Sequence, residues 1–591
     1  MLLLETTLTF AGLAVVKGLT ALYVRHDNNK EYGKMKDYAP LLVYEKLDRV
    51  RHAAEEANQG FNECDACGFE NFKSRTFCDI CGSTIGKAGK KRAKKLKYKN
   101  PLNARFVRAS KRKEWVRKVN AEGKAYWHHQ EHFVTADARF TGFVIMFQLD
   151  DGGALGSEGE EKTAQLVRET ETLSLELIES TKADPWVFAL GGALKSNELE
   201  QEVMANGSLD FPAKYAAFVV KAVAALEPTK KIQLQLTLNR DYVLEQSLEH
   251  VSCMDVKYAR SEVTLKFLNS PRAPVGKQNR EWIAQLNELL TNPSTGLFKV
   301  VNNSEQTYYL NSNSKFAIGD DHLTYYYAAG RLLGRGLLDG ELWGFHLAMP
   351  LLKIILGLPV SFMDLAFFDP EAYKSLEYLA NNTGVESLSL DFSVTEKVNG
   401  EIVVVDLIPD GRNIAVTDAN KFEYLDRRFK YTLFESVSSQ LYALLKGIYE
   451  VVPQEMLMML DPEEFDFIMC GSDVINTHDW RINSKYNECI HGHPCMNWFW
   501  KYVRKMPLEY KKRLLHFTTG NTRVPIGGFA ALTNYNGDVA PFTIIGNELA
   551  VGRLMRGQPC FNKLELPNYV HRKHLKSMLF GILDNYDYAS K

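Results

Sequence analysis

Two Cys-x-x-Cys pairs lie close together in the first hundred residues of the chain: Cys64 with Cys67, and Cys78 with Cys81. The tight turn within each pair places both thiolates on one face, and two such pairs supply the four ligands of a tetrahedral zinc site. Because cysteine provides all four ligands, no coordination position stays open for catalysis, so the zinc is structural. A segment of about 25 residues has little core and gains most of its folding free energy from the metal. The sequence therefore predicts a four-cysteine zinc finger over residues 58–84.

The residues around these cysteines resemble the small zinc finger named for a Ran-binding nucleoporin, whose members bind either ubiquitin or single-stranded RNA. Asn71 stands at the family spacing, whereas Asn62 replaces the family's tryptophan. Phe69 and Ile80 hold the hydrophobic positions of the ubiquitin-binding branch, so the resemblance implies that they contact ubiquitin. The RNA-binding branch needs a stacking tryptophan and paired arginines, of which only Arg75 is present. The resemblance favours ubiquitin, with RNA binding and a purely structural finger as alternatives.

Positive charge is concentrated directly after the finger. Between Lys87 and Lys118 there are 15 Lys or Arg residues and one acidic residue, whereas the rest of the chain carries a net charge of about −15. Such a segment can be a solvated tether, a nuclear import signal or a phosphate-binding arm. We expect residues 85–118 to be a basic linker, with nuclear import second and direct nucleic-acid binding third, since aromatic residues are sparse within it.

The composition of the 591 residues, with 45% hydrophobic and 24% charged side chains, excludes a globally disordered chain. Nine cysteines are too few for a disulfide scaffold and indicate a reducing compartment, so we expect a cytoplasmic or nuclear location or both. Residues 1–24 are rich in apolar side chains, but the longest uncharged run, Thr6–Val16, is about half of what a membrane helix requires. We expect a helical segment over residues 1–57 and leave open a membrane contact by residues 1–24.

A hairpin is predicted after the basic linker, in residues 115–149. Trp115, Gly123 and the pair Tyr126-Trp127 resemble the first half of a WW domain. The second signature tryptophan is absent, which favours a degenerate structural hairpin over a peptide-binding module.

The region that follows the hairpin shows no pattern of chemical function. Residues 150–161 are rich in glycine and acidic residues and are expected to be a linker. Residues 162–250 are expected to form a small α+β unit, with helices over Lys162–Ser180 and Tyr215–Leu226. The strict alternation of leucine and isoleucine in residues 232–238 predicts a half-buried strand there.

A series of motifs from about Val251 to Lys591 resembles the HECT ubiquitin ligases in both order and spacing. In chain order these motifs are REW at 280–282, GLF at 296–298, AAGRLLGRGLLDG at 328–340, VVVDLIPDGRNIAVTDANKFEYL at 403–425, CG at 470–471, WFW at 498–500, LLHFTTGNTRVPIGGF at 514–529 and PCFNKLELPNY at 559–569. Each motif is weak alone, and their consecutive order makes the resemblance specific.

The resemblance implies an α+β multidomain protein with a bilobal HECT catalytic module. A mostly helical N-lobe over residues 251–486 would dock a ubiquitin-conjugating enzyme near Leu425–Asp479. A hinge over 487–494 would let a smaller α/β C-lobe, residues 495–591, reorient. Within the N-lobe, the turn residues Pro409-Asp410-Gly411 between two apolar runs predict a hairpin.

The resemblance also implies that Cys560 is the nucleophile. A thiolate that attacks an incoming thioester forms a second thioester of similar energy, and a substrate lysine then converts it to an amide. Thr519, Arg523 and Tyr588 match family positions that support catalysis. The chain departs from the family at Gln558-Pro559, where His-Thr usually precedes the nucleophile, and at Asn521, which replaces a small hydroxyl residue.

Taken together, the sequence predicts a ubiquitin-protein ligase whose partners are ubiquitin, a conjugating enzyme and a substrate that the sequence does not identify. The alternative is a non-catalytic adaptor that binds ubiquitin or RNA through its zinc finger.

Overall fold

The computed structural model describes residues 41–85, 104–130, 141–149, 166, 169–170, 172–192, 194, 196–229, 232–268, 275–398, 400–534, 539–547 and 554–585. The predicted helix in residues 1–24, the linker over 150–161 and Tyr588 lie outside these residues. None of the helices in the described ranges is both long enough and apolar enough to cross a bilayer.

The structure is mixed helix and strand. Its helices are α1 (Leu41–Asn58), α2 (Ala104–Ser110), α3 (Asn197–Gly207), α4 (Phe211–Leu226), α5 (Val243–Cys253), α6 (Val275–Thr291), α7 (Ser314–Ile318), α8 (His322–Asp339), α9 (Met349–Ile355), α10 (Leu365–Phe368), α11 (Pro370–Asn381), α12 (Lys421–Leu433), α13 (Ser438–Val451), α14 (Gln454–Met458), α15 (Pro462–Cys470), α16 (Thr477–Ile482), α17 (Pro494–Lys505), α18 (Leu508–Thr519) and α19 (Arg572–Asp584). The strands are β1 (Phe61–Glu63), β2 (Glu70–Phe72), β3 (Trp115–Val119), β4 (Ala125–His129), β5 (Phe143–Leu149), β6 (Leu173–Glu179), β7 (Gln233–Leu238), β8 (Glu262–Phe267), β9 (Phe298–Asn302), β10 (Thr307–Leu310), β11 (His346–Leu347), β12 (Ser393–Val398), β13 (Glu401–Asp406), β14 (Lys485–Tyr486), β15 (Thr543–Asn547), β16 (Arg556–Gln558) and β17 (Lys563–Pro567).

The strands form small sheets rather than one continuous layer. Strands β3 and β4 pair antiparallel, which confirms the hairpin predicted between Trp115 and His129. The sheet nearest the chain's carboxyl end has the order β14-β15-β17-β16, with β16 antiparallel to β17 and the other neighbours parallel. The strand predicted over residues 232–238 is β7, which pairs in parallel with β8.

Helices α8 and α13 cross in close contact, and two glycines allow their backbones to meet. A Cβ atom on Gly330 would lie 2.2 Å from the carbonyl oxygen of Leu444, and one on Gly447 would lie 2.1 Å from that of Tyr327. Since real Cβ atoms do not approach this closely, the crossing requires glycine at both positions. The AAGRLLGRG motif is therefore a packing motif, not a binding loop.

Two large hydrophobic cores divide the described chain, beside a small third cluster of Trp186, Val203 and Met458. The first joins α1, the finger, the β3-β4 hairpin and the helices through α15, and it ends at Cys470; Ile526 is its one member from further along the chain. The second extends from Ile475 to Leu583. We call these units the amino-terminal body (41–470) and the carboxy-terminal unit (475–585), and residues Gly471–Val474 are the junction.

This division corrects two predicted boundaries. Residues 162–250 are not a separate unit, because α4 and β7 contribute to the core of the amino-terminal body. The predicted hinge over 487–494 lies inside the carboxy-terminal unit, where Ile490 is fully buried and β14 is already paired with β15. The connection between the cores falls about 15 residues earlier than expected, at the junction.

Two secondary-structure predictions are also wrong. Residues Leu173–Glu179 form strand β6, paired with β5, rather than the end of a helix. The run that ends in Asp406 does not pair across Pro409-Asp410-Gly411. It pairs instead with β12, through a two-residue connection between Val398 and Glu401 in which Gly400 has a φ of 86°.

The second half of the basic segment is not a solvated tether. Arg108 and Arg112 are 3% and 6% exposed, and both form ion pairs with the body. Nε of Arg108 lies 2.6 Å from Oε1 of Glu463, and Nη1 of Arg112 lies 2.6 Å from Oδ2 of Asp461. These arginines fasten the segment that follows the finger to the start of α15. Residues 86–103 of the predicted linker lie outside the described residues.

Candidate functional site

Cys560 lies in a one-turn 3-10 helix, Pro559–Phe561, between β16 and β17. Asn562, the residue directly after this turn, fixes its position through two side-chain hydrogen bonds. It is 1% exposed, has a φ of 52°, and its Nδ2 donates to the carbonyl oxygens of Thr533 and Ala540 over 2.8 Å each. Strand β17 lies between two neighbours of the sheet, so the turn begins and ends on paired strands. No residue pattern predicted a role for Asn562, although it follows the cysteine closely in the PCFN motif.

The end of helix α18 packs against the same turn. A Cβ on Gly520 would lie 3.5 Å from Cβ of Pro559, and one on Gly557 would lie 1.9 Å from the carbonyl oxygen of Phe517. Thr519 is 3% exposed, and its hydroxyl donates to the carbonyl oxygen of Leu515 over 2.7 Å. The structure thus brings the Thr519 segment next to the Cys560 turn, where the threonine hydroxyl stabilises the helix end.

Arg523, which follows α18, makes its contacts away from the Cys560 turn. Its Nη1 lies 3.0 Å from Oδ1 of Asp473 and 2.8 Å from Nε2 of His346, and its Nη2 donates to the carbonyl oxygen of Gly344 over 3.2 Å. These partners belong to the junction and to the amino-terminal body. The predicted supporting residues therefore divide: Thr519 is beside the Cys560 turn, and the Arg523 guanidinium connects the two cores.

His346 and Asp473 belong to a polar cluster at the junction that sequence reasoning missed. Nδ1 of His346 lies 2.8 Å from Oδ2 of Asp466, and Nε2 lies 2.9 Å from Oδ2 of Asp473. Lys512 of α18 also reaches Asp473, at 3.1 Å. No local spacing marks these residues, because they come from four separate parts of the chain.

A buried cysteine lies next to this cluster. Burial raises the pKa of Cys470 well above its ordinary value, and the Sγ atom donates to the carbonyl oxygen of Phe345 over 2.9 Å. Ligand atoms of His346, Asp466 and Cys470 lie within 4.8 Å of one another. However, Arg108 lies 3.6 Å from Asp466, and Arg523 contacts His346, so two cations already neutralise the site. The cluster is better suited to holding the cores together than to binding a metal ion.

The four cysteines of the finger are brought together as their spacing predicts. Their Sγ atoms all lie within 4.8 Å of one another, and the pairs Cys64–Cys81 and Cys67–Cys78 are each 3.7 Å apart. A tetrahedral zinc with Zn–S distances of about 2.3 Å places neighbouring sulfurs about 3.8 Å apart. Soft thiolate ligands also favour zinc over hard cations such as Mg²⁺. The residues present therefore fit a tetrahedral metal ion.

Phe69 and Ile80 do not form a free binding surface. They are 0% and 2% exposed. The Phe69 ring lies 5.0 Å from the ring of Phe211 and 6.1 Å from that of Phe467, so the finger uses this side chain to pack on the body. The expectation that Phe69 and Ile80 contact ubiquitin does not fit this arrangement, because the chain's own residues cover both.

The segment near Leu425–Asp479 likewise offers little surface to a conjugating enzyme. Helices α13 and α15 within it are core elements, and every residue of α15 is buried. Large exposed apolar side chains are found instead on the preceding segment. They include Tyr378, Leu388, Val403, Val404 and, at 76% exposure, Ile402.

The family model described as HECT-domain (ubiquitin-transferase) matches residues 284–586. The chain is 34% identical over 349 residues to "E3 ubiquitin-protein ligase TOM1-like" of Neurospora crassa, which covers 58% of this chain and 8% of that protein. It is 34% identical over 352 residues to "E3 ubiquitin-protein ligase ptr1" of Schizosaccharomyces pombe, which covers 59% of this chain and 11% of that protein. The matches thus span about a tenth of the length of these relatives.

Proposed function

The chain belongs to the HECT family of ubiquitin transferases, and we propose that it is a ubiquitin-protein ligase that carries ubiquitin as a thioester on Cys560. The observation that supports this most directly is the position of Cys560 in a short turn between two paired strands, with Asn562 holding the turn through two side-chain hydrogen bonds. In this proposal the amino-terminal body contains the N-lobe and the carboxy-terminal unit is the C-lobe.

The reaction has two acyl transfers. In the first, the Cys560 thiolate attacks the carbonyl carbon of the thioester that links ubiquitin to a conjugating enzyme. A new C–S bond forms, the old one breaks, and the conjugating enzyme's cysteine leaves as a thiolate. In the second, the amine of a substrate lysine attacks the new thioester, loses a proton to solvent and forms an amide, while Cys560 leaves as a thiolate. The first step is near balance in energy, and the second is favourable.

The contribution of this chain's residues is positioning. Asn562 and the contact between Gly520 and Pro559 hold the nucleophile turn in one place relative to β17 and α18. Pro559 limits the turn further, because its φ is fixed and it lacks an N–H group. Holding the reacting group in place lowers the entropic part of the barrier in both transfers.

Movement between the lobes is the second requirement. Cys560 must meet the conjugating enzyme first and the substrate lysine afterwards, so the C-lobe needs more than one orientation. The junction is the short connection at which this reorientation takes place, and Gly471 in it has a φ of 69° that other residues rarely adopt.

The conjugating enzyme requires a docking surface, and we propose the exposed hairpin β12-β13 for it. This two-stranded ribbon has Ile402, Val403 and Val404 as consecutive exposed residues on β13. Exposed aliphatic groups at this density are typical of protein interaction surfaces. The reaction itself supplies the occupant, since no ligase of this type works without a charged conjugating enzyme.

The test uses a conjugating enzyme charged with ubiquitin. The full chain is expected to form an adduct that a reducing agent cleaves, and Cys560→Ser is expected to form an oxygen ester that resists reduction. Cys489→Ser is the matched control, since Cys489 is an exposed cysteine of the same unit, and it should retain the reducible adduct. Absence of an adduct with every conjugating enzyme tested would contradict the proposal and support the adaptor alternative.

We propose zinc as the metal of the finger, on the strength of the four-thiolate ligand set and its sulfur spacing. The ion would be held by Cys64, Cys67, Cys78 and Cys81 and would cross-link the two halves of the finger. An adaptor role through ubiquitin binding is the weaker proposal, because Phe69 is buried against the body.

A further inference from the structure

The finger touches both sides of the junction. Its residues up to Phe72 face the amino-terminal body, where Phe72 lies 5.7 Å, ring to ring, from Phe211. Its second half, from Ser74 onward, lines a small cavity together with Val474 of the junction and Asp479, Val524 and Phe529 of the C-lobe. A single small domain is thus in contact with two units that must move relative to each other.

Arg75 makes the main contact with the C-lobe. Its Nε pairs with Oδ2 of Asp79 inside the finger at 2.8 Å, while its Nη2 donates to the carbonyl oxygen of Ile526. Its Nη1 lies 3.9 Å from Oδ2 of Asp479. A Cβ on Gly528 would lie 2.3 Å from Arg75 Nη1, so the C-lobe has glycine where the guanidinium lies. The side chain is only 10% exposed, and such a buried charged group depends on all of these partners.

The finger also holds the junction itself. The hydroxyl of Ser472 donates to the carbonyl oxygen of Asp79 over 3.4 Å, and Nδ2 of Asn476 donates to Oγ1 of Thr76 over 2.9 Å. These contacts flank the backbone bridge between the junction and the C-lobe, in which the amides of Ser472 and Val524 each donate to the other's carbonyl oxygen, over 3.0 and 3.1 Å.

The opposite side of the finger is fixed to the body. Arg112 donates from Nη2 to the carbonyl oxygen of Gly68 over 2.7 Å and to Oε2 of Glu70 over 2.9 Å, and its Nη1 pairs with Asp461 at the start of α15. The Phe69 ring packs on Phe467 of the same helix. Since α15 ends directly before the junction, the finger is anchored to the last rigid element on the N-lobe side.

We propose that the zinc finger is an internal clamp, which holds the C-lobe in one orientation against the N-lobe and depends on its metal to do so. The anchored side and the gripping side of the finger are joined by the four-thiolate centre and by the hydrogen bond that the Asp79 amide donates to Oδ1 of Asn71 over 2.8 Å. The metal contributes most of the folding free energy of a domain this small, so this connection depends on it. The restraint itself does not rest on the proposed function. Its consequence does, since a ligase must release the clamp to move Cys560 between its two partners.

Amide hydrogen exchange on the full chain tests the clamp. In Arg75→Gln the amides of Ser472 and Val524 are expected to exchange about ten- to a hundredfold faster, which corresponds to the loss of one or two hydrogen bonds to a charged group. Lys73→Gln is the matched control, because Lys73 is an exposed cation of the same finger. In both variants the amides of α13 should exchange at the original rate. Unchanged exchange at Ser472 and Val524 in a folded Arg75→Gln variant would overturn the proposal.

A milder variant and removal of the metal test the clamp independently, in case Arg75→Gln unfolds the finger. Thr76→Val removes the acceptor for Asn476 while leaving the Arg75 contacts, and it should speed exchange at the same amides about three- to tenfold. Chelation of the metal should give the original protein a rise at least as large as that in Arg75→Gln. Metal release, followed with a zinc indicator, that leaves these two amides unaffected would show that the finger is no clamp.

A transfer assay measures the consequence separately. If lobe movement limits the cycle, Arg75→Gln raises the rate of ubiquitin transfer several-fold, as is common where a conformational step is slow. A fall in that rate with faster exchange would overturn the restraining role and show that the finger holds the productive orientation. Because the exchange measurements need no ubiquitin, failure of the adduct assay with Cys560 and failure of the clamp are distinguishable results.

Discussion

Nη1 of Arg523, in the loop after α18, lies 3.0 Å from Oδ1 of Asp473, in the junction. The Asp473 carboxylate also lies 3.1 Å from Nζ of Lys512 in the carboxy-terminal unit and 2.9 Å from Nε2 of His346 in the amino-terminal body, so it contacts side chains of both units. The connection between the two units is therefore held by ion pairs at Asp473 and by the finger's contact with the adjacent Ser472. A transition between orientations has to break both sets of contacts.

Arg523→Gln is expected to speed amide exchange at Val524 and, if lobe movement limits the cycle, to raise the rate of ubiquitin transfer as Arg75→Gln does, because it breaks a buried ion pair between the carboxy-terminal unit and the junction. Loss of one partner of such a pair costs about 3–5 kcal/mol. Lys512→Gln, which removes a partner of the same carboxylate that is 27% exposed, should have a smaller effect. A variant that lost transfer while exchange at Val524 stayed unchanged would instead assign Arg523 a direct role in the chemistry.

Phe69→Ala is expected to destabilise the amino-terminal body by about 3–5 kcal/mol, since it removes a fully buried ring from an aromatic cluster. The measurement is denaturant unfolding, with Phe61→Ala as the control because Phe61 is exposed on the same finger. Ubiquitin titration of both variants should match that of the original protein. Weaker ubiquitin binding at unchanged stability would restore the ubiquitin-binding interpretation of this side chain.

Cys67→Ser is expected to release the bound metal, because serine at neutral pH does not replace a thiolate ligand of zinc. Elemental analysis should find one zinc per chain in the original protein and less than one in the variant. Cys253→Ser is the control, since Cys253 is an exposed cysteine outside the cluster, and it should keep the full metal content. Full metal content in Cys67→Ser would contradict the assignment of this ligand.

Local patterns predicted the finger and the secondary structure better than the arrangement of the units. The spacing of the four cysteines was enough to predict that they cluster, because only two residues separate the cysteines of each pair. The sequence does contain a signal for the hairpin that was wrongly placed across Pro409-Asp410-Gly411. The pair Asn399-Gly400, between TEKV and EIVV, is a stronger hairpin-turn sequence than Pro-Asp-Gly. The alternation of Leu173, Leu175 and Leu177 similarly indicated strand β6.

The junction and the burial of the finger could not be predicted from local patterns. Asp473 gains its role only when His346 and Arg523 reach it from distant segments. Phe69 has the same neighbours in sequence whether it faces ubiquitin or α4, and only the tertiary contact with Phe211 distinguishes the two. In the same way, Arg108 and Arg112 belong to a basic run whose composition indicates solvent exposure, while Glu463 and Asp461 bury them.

The stability of the carboxy-terminal unit should depend on pH through His516. Burial lowers the pKa of His516 to about 4, whereas the unfolded chain binds the same proton near pH 6.5. Between these two pH values the unfolded state binds more protons than the folded state. The free energy of unfolding therefore has its full value above pH 6.5 and falls as the pH drops toward 4, by no more than about 3 kcal/mol. Denaturant unfolding from pH 4 to 7 should show this slope, with His574→Gln, an exposed site, retaining it and His516→Gln flattening it. A slope that His516→Gln leaves intact would assign it to other groups.

The exposed strand β13 provides the last prediction. Ile402→Asp is expected to lower the rate at which a conjugating enzyme charges Cys560 by about tenfold or more, because a charge replaces an apolar contact at a protein interface. Stability should change by less than about 0.5 kcal/mol, since the side chain is 76% exposed. The matched control is Phe316→Asp, at an apolar residue of similar exposure on α7, and it should charge normally.

Single-turnover charging with one conjugating enzyme at several concentrations separates weaker docking, which a higher enzyme concentration overcomes, from slower chemistry, which it does not. Normal charging of Ile402→Asp at low enzyme concentration would move the docking surface away from this hairpin.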